Sequence, residues 1–404
     1  MASPAEPIGP IAPVRPRLLI VTLSLDVGGT EKHISLIAPE LKRRGFDVSI
    51  FCIGSPGVTA ERVRQSGVDV VAAEPSEKSN SGRVRQTVRA MTGLARLIAR
   101  LRPSIVHFFL PGPYLLGAPV AILRRVPIRV MSRRGINNHQ GKLPGIRLAE
   151  MTLHRRMTAV LGNSRRVVAD LLGEGCARDR IGLIYNGTDL AAFATPVDRA
   201  RVRTALEVPA GALLLVKIAN LIPYKGHSDL LKAMALAAPR LARPVVVALA
   251  GRDDGIGEAL RNEARSLGVV DQVRFLGLRA DVPDILKAAD IGSLVSHEEG
   301  FSNAVIEGMA AGLPMLVTDV GGSAEAVVDG VCGWVVPPHA PDRLAEALIR
   351  LAGDDALRAR MGASGRERAE RLYALTACVD RYEALYLGLA AGRLPGAIPG
   401  VGLD

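Results

Sequence analysis

The sequence predicts an α/β protein of two doubly wound parallel sheets, and three observations carry that expectation. Apolar, β-branched runs of four to seven residues recur along the whole chain, as they do in strands buried on both faces. Between them the apolar spacing turns helical, and alternating strands and helices build parallel sheets. The length of 404 residues exceeds one compact core and suits two domains of about 200 residues each.

Taken in order, the strand-like runs of the first half are RLLIVTL (17–23), DVSIFCI (47–53), VDVVAA (68–73), SIVHFF (104–109), IRVMS (128–132) and AVLGNS (159–164). Those of the second half are LLLVKIAN (213–220), VVVALAG (245–251), QVRFLG (272–277), IGSLVS (291–296), MLVTD (315–319) and GWVVP (333–337). The boundary falls in 185–206, where a turn, a proline and a charged helix separate the two sets. The expected organisation is a Pro-rich disordered leader over 1–16, a first domain over 17–190 and a second over 191–390. The last helix is free to pack back on the first domain, and 391–404 forms a loose tail. Ligands of open parallel sheets bind beyond the carboxyl ends of the strands, so the chemistry is expected in a cleft between the domains.

Composition narrows the function. Residues 1–190 hold 28 Lys and Arg against 14 Asp and Glu, an excess of +14, whereas the remainder carries −3. A basic half can face anionic lipid, an anionic acceptor or nucleic acid. Aromatic residues are only 3% of the chain, too few to stack on bases, so no nucleic acid is expected. Four cysteines with no CxxC pair suggest neither a zinc site nor a disulfide framework, and read as reduced thiols of a cytoplasmic protein. No apolar run reaches the roughly 18 residues of a membrane span, and the N-terminus lacks a signal pattern.

Strand ends carry the candidate chemistry. After the first strand, SLDVGGTEKHI places Gly28 and Gly29 at a helix start, where backbone can approach an anionic ligand closely. The loop lacks a GxGxxG fingerprint, against a nicotinamide enzyme. In the second half, ANLIPYKGHSDLL sets Asn220 and Lys225 between a buried strand and a helix; Lys225 reads either as a solvated lysine or as a diphosphate contact. In HEEGFSNAVIEGMAAGLP, Ser302 or Asn303 can cap a helix, with Glu299 in the loop before it and Glu307 one turn inside. Glu307 there either answers the helix dipole or accepts the vicinal hydroxyls of a ribose.

These pieces, with FLGLRADVPDILKAADIGSLVS, VTDVGGSAEAV, GNSRRVVADLL and IYNGTDL in the same order, resemble the retaining glycosyltransferases of family 4, which have the GT-B fold. The resemblance spans roughly residues 17–390. It implies sugar transfer from a nucleotide diphosphate sugar to a glycan, lipid-linked or small-molecule acceptor, with retention and with no metal or other cofactor. Lys225 would contact the diphosphate, Glu307 the ribose and Glu299 the hydroxyls of the transferred sugar. Gly300 lies in the same loop, and backbone N–H groups of Phe301, Ser302 and Asn303 would cradle sugar and phosphate. Gly28 and Gly29 would complete the phosphate site from across the cleft, and backbone around Leu278 and Arg279 would meet the base.

The chain departs from the family's pattern at two places. Asn220 stands where arginine is frequent, so Arg252 is the candidate second phosphate cation. Phe109 stands where a second histidine is frequent; His107 fills only the first histidine place and reads as a sugar contact or as a satisfied strand histidine. Arg133 and Arg134, ending the next strand, read either as contacts for an acceptor phosphate or as solvated arginines. A stripe of Val84, Val88, Met91, Leu94, Ile98 and Leu101, flanked by Arg83, Arg85, Arg89, Arg96 and Arg100, is either a core-packed helix or a face for the anionic inner leaflet. Other function classes remain open on sequence alone: a nucleotide-sugar epimerase of the same fold, or a basic nucleic-acid binder.

Overall fold

The computed structural model describes residues 15–73, 80–136, 140 and 145–403, with side chains from residue 84 onward in the helix that begins at Asn80. The leader, apart from Arg15 and Pro16, and the side chain of Arg83 lie outside the described residues. Two wholly parallel sheets form. The first contains β1 (Arg17–Thr22), β2 (Asp47–Cys52), β3 (Asp69–Ala72), β4 (Ile105–Phe109), β5 (Ile128–Arg133), β6 (Ala159–Gly162) and β7 (Ile181–Leu183), in the order β3-β2-β1-β4-β5-β6-β7. The second contains β8 (Leu213–Ile218), β9 (Val245–Ala250), β10 (Val273–Gly277), β11 (Ile291–Leu294), β12 (Met315–Thr318) and β13 (Gly333–Val336), in the order β10-β9-β8-β11-β12-β13.

Both orders reverse direction once, between β1 and β4 and between β8 and β11. At such a switch point the loops after the two central strands diverge to opposite faces and leave a crevice at their carboxyl ends. The Gly28–Gly29 loop follows β1, Asn220 and Lys225 follow β8, and Glu299 follows β11. The central strands are buried on both faces: β4, β6, β9, β11 and β12 have every residue buried. A sheet covered by helices on both faces produces that pattern. The seventh strand of the first sheet, β7, is not among the expected runs, because three residues between arginine-rich segments carry almost no pattern.

The chain ends where it began. The helix Leu375–Ala390 buries Cys378, Val379, Tyr382, Leu385, Tyr386 and Leu389 in the core of the first sheet, against Ile20 and Phe109. The segment after it is not the loose tail expected from its glycines and prolines: Ile398 and Val401 are buried in that same core, and Leu183 N–H in β7 donates to the Val401 carbonyl at 2.9 Å. The glycines turn the chain so that two apolar side chains land on the sheet, each stabilising by about 1.5–3 kcal/mol. The basic stripe divides along its helix, Asn80–Leu101. Leu94 and Ile98 are core residues, whereas Val84 and Val88 are exposed. Among the described residues, no helix is long and apolar enough to cross a membrane.

Candidate active site

On the first-sheet side, Gly28 is extended and Gly29 opens the helix Gly29–Arg43. The Glu31 carboxylate folds back over Gly28, where a Cβ would stand 2.2 Å from its oxygen and would have to displace that flexible side chain. Burial pushes the Glu31 carboxyl up from its ordinary value. The next residue, Lys32, reaches across the cleft and pairs with Glu307 at 2.6 Å. Asn303 Nδ2 donates to the Gly29 carbonyl at 3.0 Å.

On the second-sheet side, β8 runs into Asn220, whose Oδ1 accepts from the Arg252 N–H at 3.2 Å, and then into a single 3-10 turn, Pro223–Lys225. Gly226 follows with φ +65° and starts the helix His227–Ala237. Two buried bases support this turn. Lys217 Nζ donates to the Lys225 carbonyl, and burial, then the neighbouring Lys225 charge, lower its pKa well below the usual lysine range. His227 Nε2 donates to the Asn220 carbonyl at 3.0 Å, and burial pushes this imidazole down to about 3. The Lys225 ammonium meets Glu299 Oε1 at 2.5 Å, and Ser296 Oγ donates to the same oxygen at 2.7 Å.

The loop from Glu299 to Asn303 is held by close backbone packing. A Cβ on Gly300 would come 2.3 Å from the Arg134 carbonyl, and one on Gly321 would come 1.9 Å from the Glu299 carbonyl. Phe301 buries its ring against Tyr185 and Tyr373, so only its backbone remains for a ligand. The expected cap does not form. Ser302 holds the N-cap position of the helix Asn303–Ala310 without a side-chain hydrogen bond, and the Asn303 amide is engaged with Gly29 and Asn186. A helix start without a side-chain cap keeps its first-turn N–H groups directed at whatever occupies the crevice. Glu307, one turn in, is buried.

Three expected site residues are placed elsewhere. His107 is fully buried in β4, with Nδ1 hydrogen-bonded to the Tyr386 hydroxyl at 2.7 Å and Nε2 to the Ser132 hydroxyl at 2.7 Å. Both nitrogens are satisfied and burial lowers its pKa, the arrangement expected of the strand histidine of the two readings. Arg133 turns inward to pair with Glu150 at 2.9 Å and with Glu174, and its side chain is buried. Arg134 is buried beneath the cleft, where Nη2 donates to Asn186 Oδ1 at 2.6 Å; Asn186 in turn donates to the Phe301 carbonyl and to Asn303 Oδ1. It props the Phe301 loop.

The remaining candidates are peripheral. Arg252 pairs with Asp254 at 2.6 Å, Arg279 with Asp281 at 2.6 Å, and Leu278 is exposed. Lys32, Asn186, Lys217 and Glu325 were not singled out from the sequence. Glu325 accepts from the N–H groups of Arg165 and Arg166 at 2.8 and 3.1 Å and from the Tyr185 hydroxyl, a further group of bonds between the domains. Only the place of Lys32, one turn beyond a Gly-Gly loop at a strand end, could have marked it.

The family model for glycosyl transferases group 1 matches residues 198–368, and that for Glycosyltransferase Family 4 matches residues 27–192. A D-inositol 3-phosphate glycosyltransferase of Saccharomonospora viridis is 31% identical over 377 residues, covering 86% of each chain. Its counterpart from Thermomonospora curvata is 32% identical over 418 residues, covering 92% of this chain and 94% of its own. Among solved structures, Anabaena Alr3699/HepE in complex with UDP and glucose superimposes with a TM-score of 0.81 at 20% identity, covering 93% of this chain and all of that one. A glycosyltransferase from Rickettsia africae gives 0.80 at 18% identity, covering 93% and 99%.

Proposed function

Since the chain belongs to the group 1, family 4 glycosyltransferases and has their GT-B fold, we propose that it moves a sugar from a nucleotide diphosphate sugar to a hydroxyl acceptor, with retention and without a metal. The observation that carries this reading is that the Lys225–Glu299 pair joins the loops after β8 and β11, and that Glu307 and Asn303, on the helix that follows, contact the helix begun at Gly29. An ammonium, an uncapped helix start and two carboxylates in one crevice match the parts of such a donor: diphosphate, sugar and ribose.

The chemistry follows from where charge develops. As the bond from the anomeric carbon to the diphosphate stretches, negative charge grows on the departing oxygens, and fixed cations and N–H dipoles in a water-poor cleft lower that barrier. Lys225 with the N–H groups of residues 301–303 would supply that charge, with Arg252 at the rim. The acceptor oxygen would form its bond on the face the diphosphate leaves, and its proton would pass to a diphosphate oxygen. Glu299 would exchange part of its contact with Lys225 for the sugar's hydroxyls. Glu307 would exchange Lys32 for the ribose hydroxyls.

A uridine diphosphate sugar is the first donor to test, since solved structures of the same fold hold UDP or UDP-glucose. An inositol phosphate is the first acceptor, since relatives at 31 and 32% identity carry that name. A cytoplasmic site of action, at or near an anionic membrane surface, accords with the basic first half. Transfer assayed in the presence of EDTA checks the proposal: Lys225→Ala and Glu307→Ala should each lose more than tenfold in donor binding or turnover. Near-normal rates in both variants, or a loss of wild-type activity in EDTA that magnesium restores and zinc does not, would overturn it.

A further inference from the structure

Behind the donor loop, three side chains from separate elements converge. Asp229 lies in the first turn of the helix His227–Ala237, His297 follows β11, and His339 follows β13. Each offers one ligand atom, and the three atoms lie within 4.8 Å of one another. His297 Nε2 is 2.8 Å from Asp229 Oδ2, and the His297 and His339 rings are 3.7 Å apart between centroids. The two residues of the closest pair are mostly buried, with side chains 22% and 12% exposed, while His339 is exposed and leaves an open side. Two imidazoles this close repel each other when both are protonated, and two neutral imidazoles beside a carboxylate are the donor set of a borderline divalent cation. His339 also holds φ +58°, a left-handed conformation that few side chains adopt.

We propose that Asp229, His297 and His339 bind a divalent transition cation, zinc by preference, with water in the fourth position. The donor set is nitrogen-rich and therefore unsuited to magnesium, which separates this site from any metal that would bridge phosphates. The position gives the cation a structural consequence. His297 is two residues before Glu299, its N–H donates to the Tyr224 carbonyl at 2.7 Å, and Asp229 is three residues beyond Gly226. A cation joining Asp229 to His297 thus ties the helix that follows the Lys225 turn to the loop that carries Glu299. It would stiffen the donor loop and take no part in bond breaking.

The test uses full-length, tag-free protein stripped of metal. Titration with cobalt(II) chloride should give one equivalent bound with the intense visible absorption of a four- or five-coordinate ion, and zinc chloride should displace it and raise the Tm. His339→Gly removes one ligand and at the same time suits the left-handed backbone, so the variant should fold at least as stably as wild type without metal. It should bind cobalt at least tenfold more weakly and lose the zinc-dependent rise in Tm; His297→Ala should do the same. Wild-type protein that binds cobalt no better than His339→Gly, or that shows only the weak absorption of the six-coordinate aqueous ion, would overturn the proposal. Because the readouts are absorption and Tm, failure here leaves the transferase reading untouched.

Discussion

At the scale of single residues, the site rests on groups whose charge is set by what surrounds them. Lys217 and His227 sit under the Lys225 turn as buried bases, and burial favours the neutral form of each. His33 and His107 are likewise buried in the first domain with depressed pKa values. The sign follows from linkage. In the unfolded chain a histidine takes up a proton as pH falls through its ordinary value of 6.5, whereas folded His227 resists until about 3. Stability from such a group is complete above pH 6.5 and drains as pH falls below it, by about 1.4 kcal/mol per pH unit for each histidine. Urea unfolding should therefore show a steep loss between pH 7 and 5, and His227→Gln should shallow that slope. An unchanged slope would mean that His227 is not held neutral.

Residue identity alone misled at β5. Arg133 and Arg134 sit at a strand end next to the cleft, and the sequence shows their charge and position but not the acidic partners, Glu150 and Glu174, that draw Arg133 inward. Lys32 escaped notice for the converse reason: its partner Glu307 is 275 residues away, and only the closed cleft brings them together.

At the scale of elements, the Lys225 turn depends on a backbone conformation and a close approach that glycine alone meets without strain. Gly226 combines φ +65° with a would-be Cβ 1.9 Å from the Val295 carbonyl, so Gly226→Ala must move either the Pro223–Lys225 turn or the strand end of β11. The expected loss is about 2 kcal/mol or more of stability, read by urea denaturation, together with weaker nucleotide binding by calorimetry. A variant that keeps wild-type values in both would show that the turn is softer than its packing indicates. Strands were the legible elements, since double-sided burial writes an unbroken apolar run into the sequence. The three-residue β7 and the packed 395–401 segment were not, because each is fixed by partners distant in the chain, Val401 by Leu183 above all.

At the scale of the whole molecule, the two sheets are tied by the helix Leu375–Ala390, which leaves the second domain and buries two tyrosines and four smaller side chains in the first. The 398–401 segment completes that core, so ending the chain at Ala390 should cost about 3–6 kcal/mol through the loss of Ile398 and Val401. Differential scanning calorimetry would see this as a lowered transition of the first domain; an unchanged transition would mean that the segment merely rests on the surface. The general design was readable from the sequence because a pair of switch points follows from alternating strands and helices, and because motif residues stand at the strand ends that border them. The closed cleft was not, since its contacts, Lys32 to Glu307, Asn186 to Asn303 and Glu325 to the helix at Arg165, join residues more than a hundred positions apart.

The central claim is that an anionic leaving group is gripped by Lys225 and by the start of the helix Asn303–Ala310. A crystal structure of the protein with UDP, grown in EDTA, tests it most directly. The account predicts the diphosphate within hydrogen-bond reach of Lys225 Nζ and the N–H groups of residues 301–303, with Glu307 released from Lys32 onto the ribose. A diphosphate bound away from the carboxyl ends of β8 and β11 would contradict it.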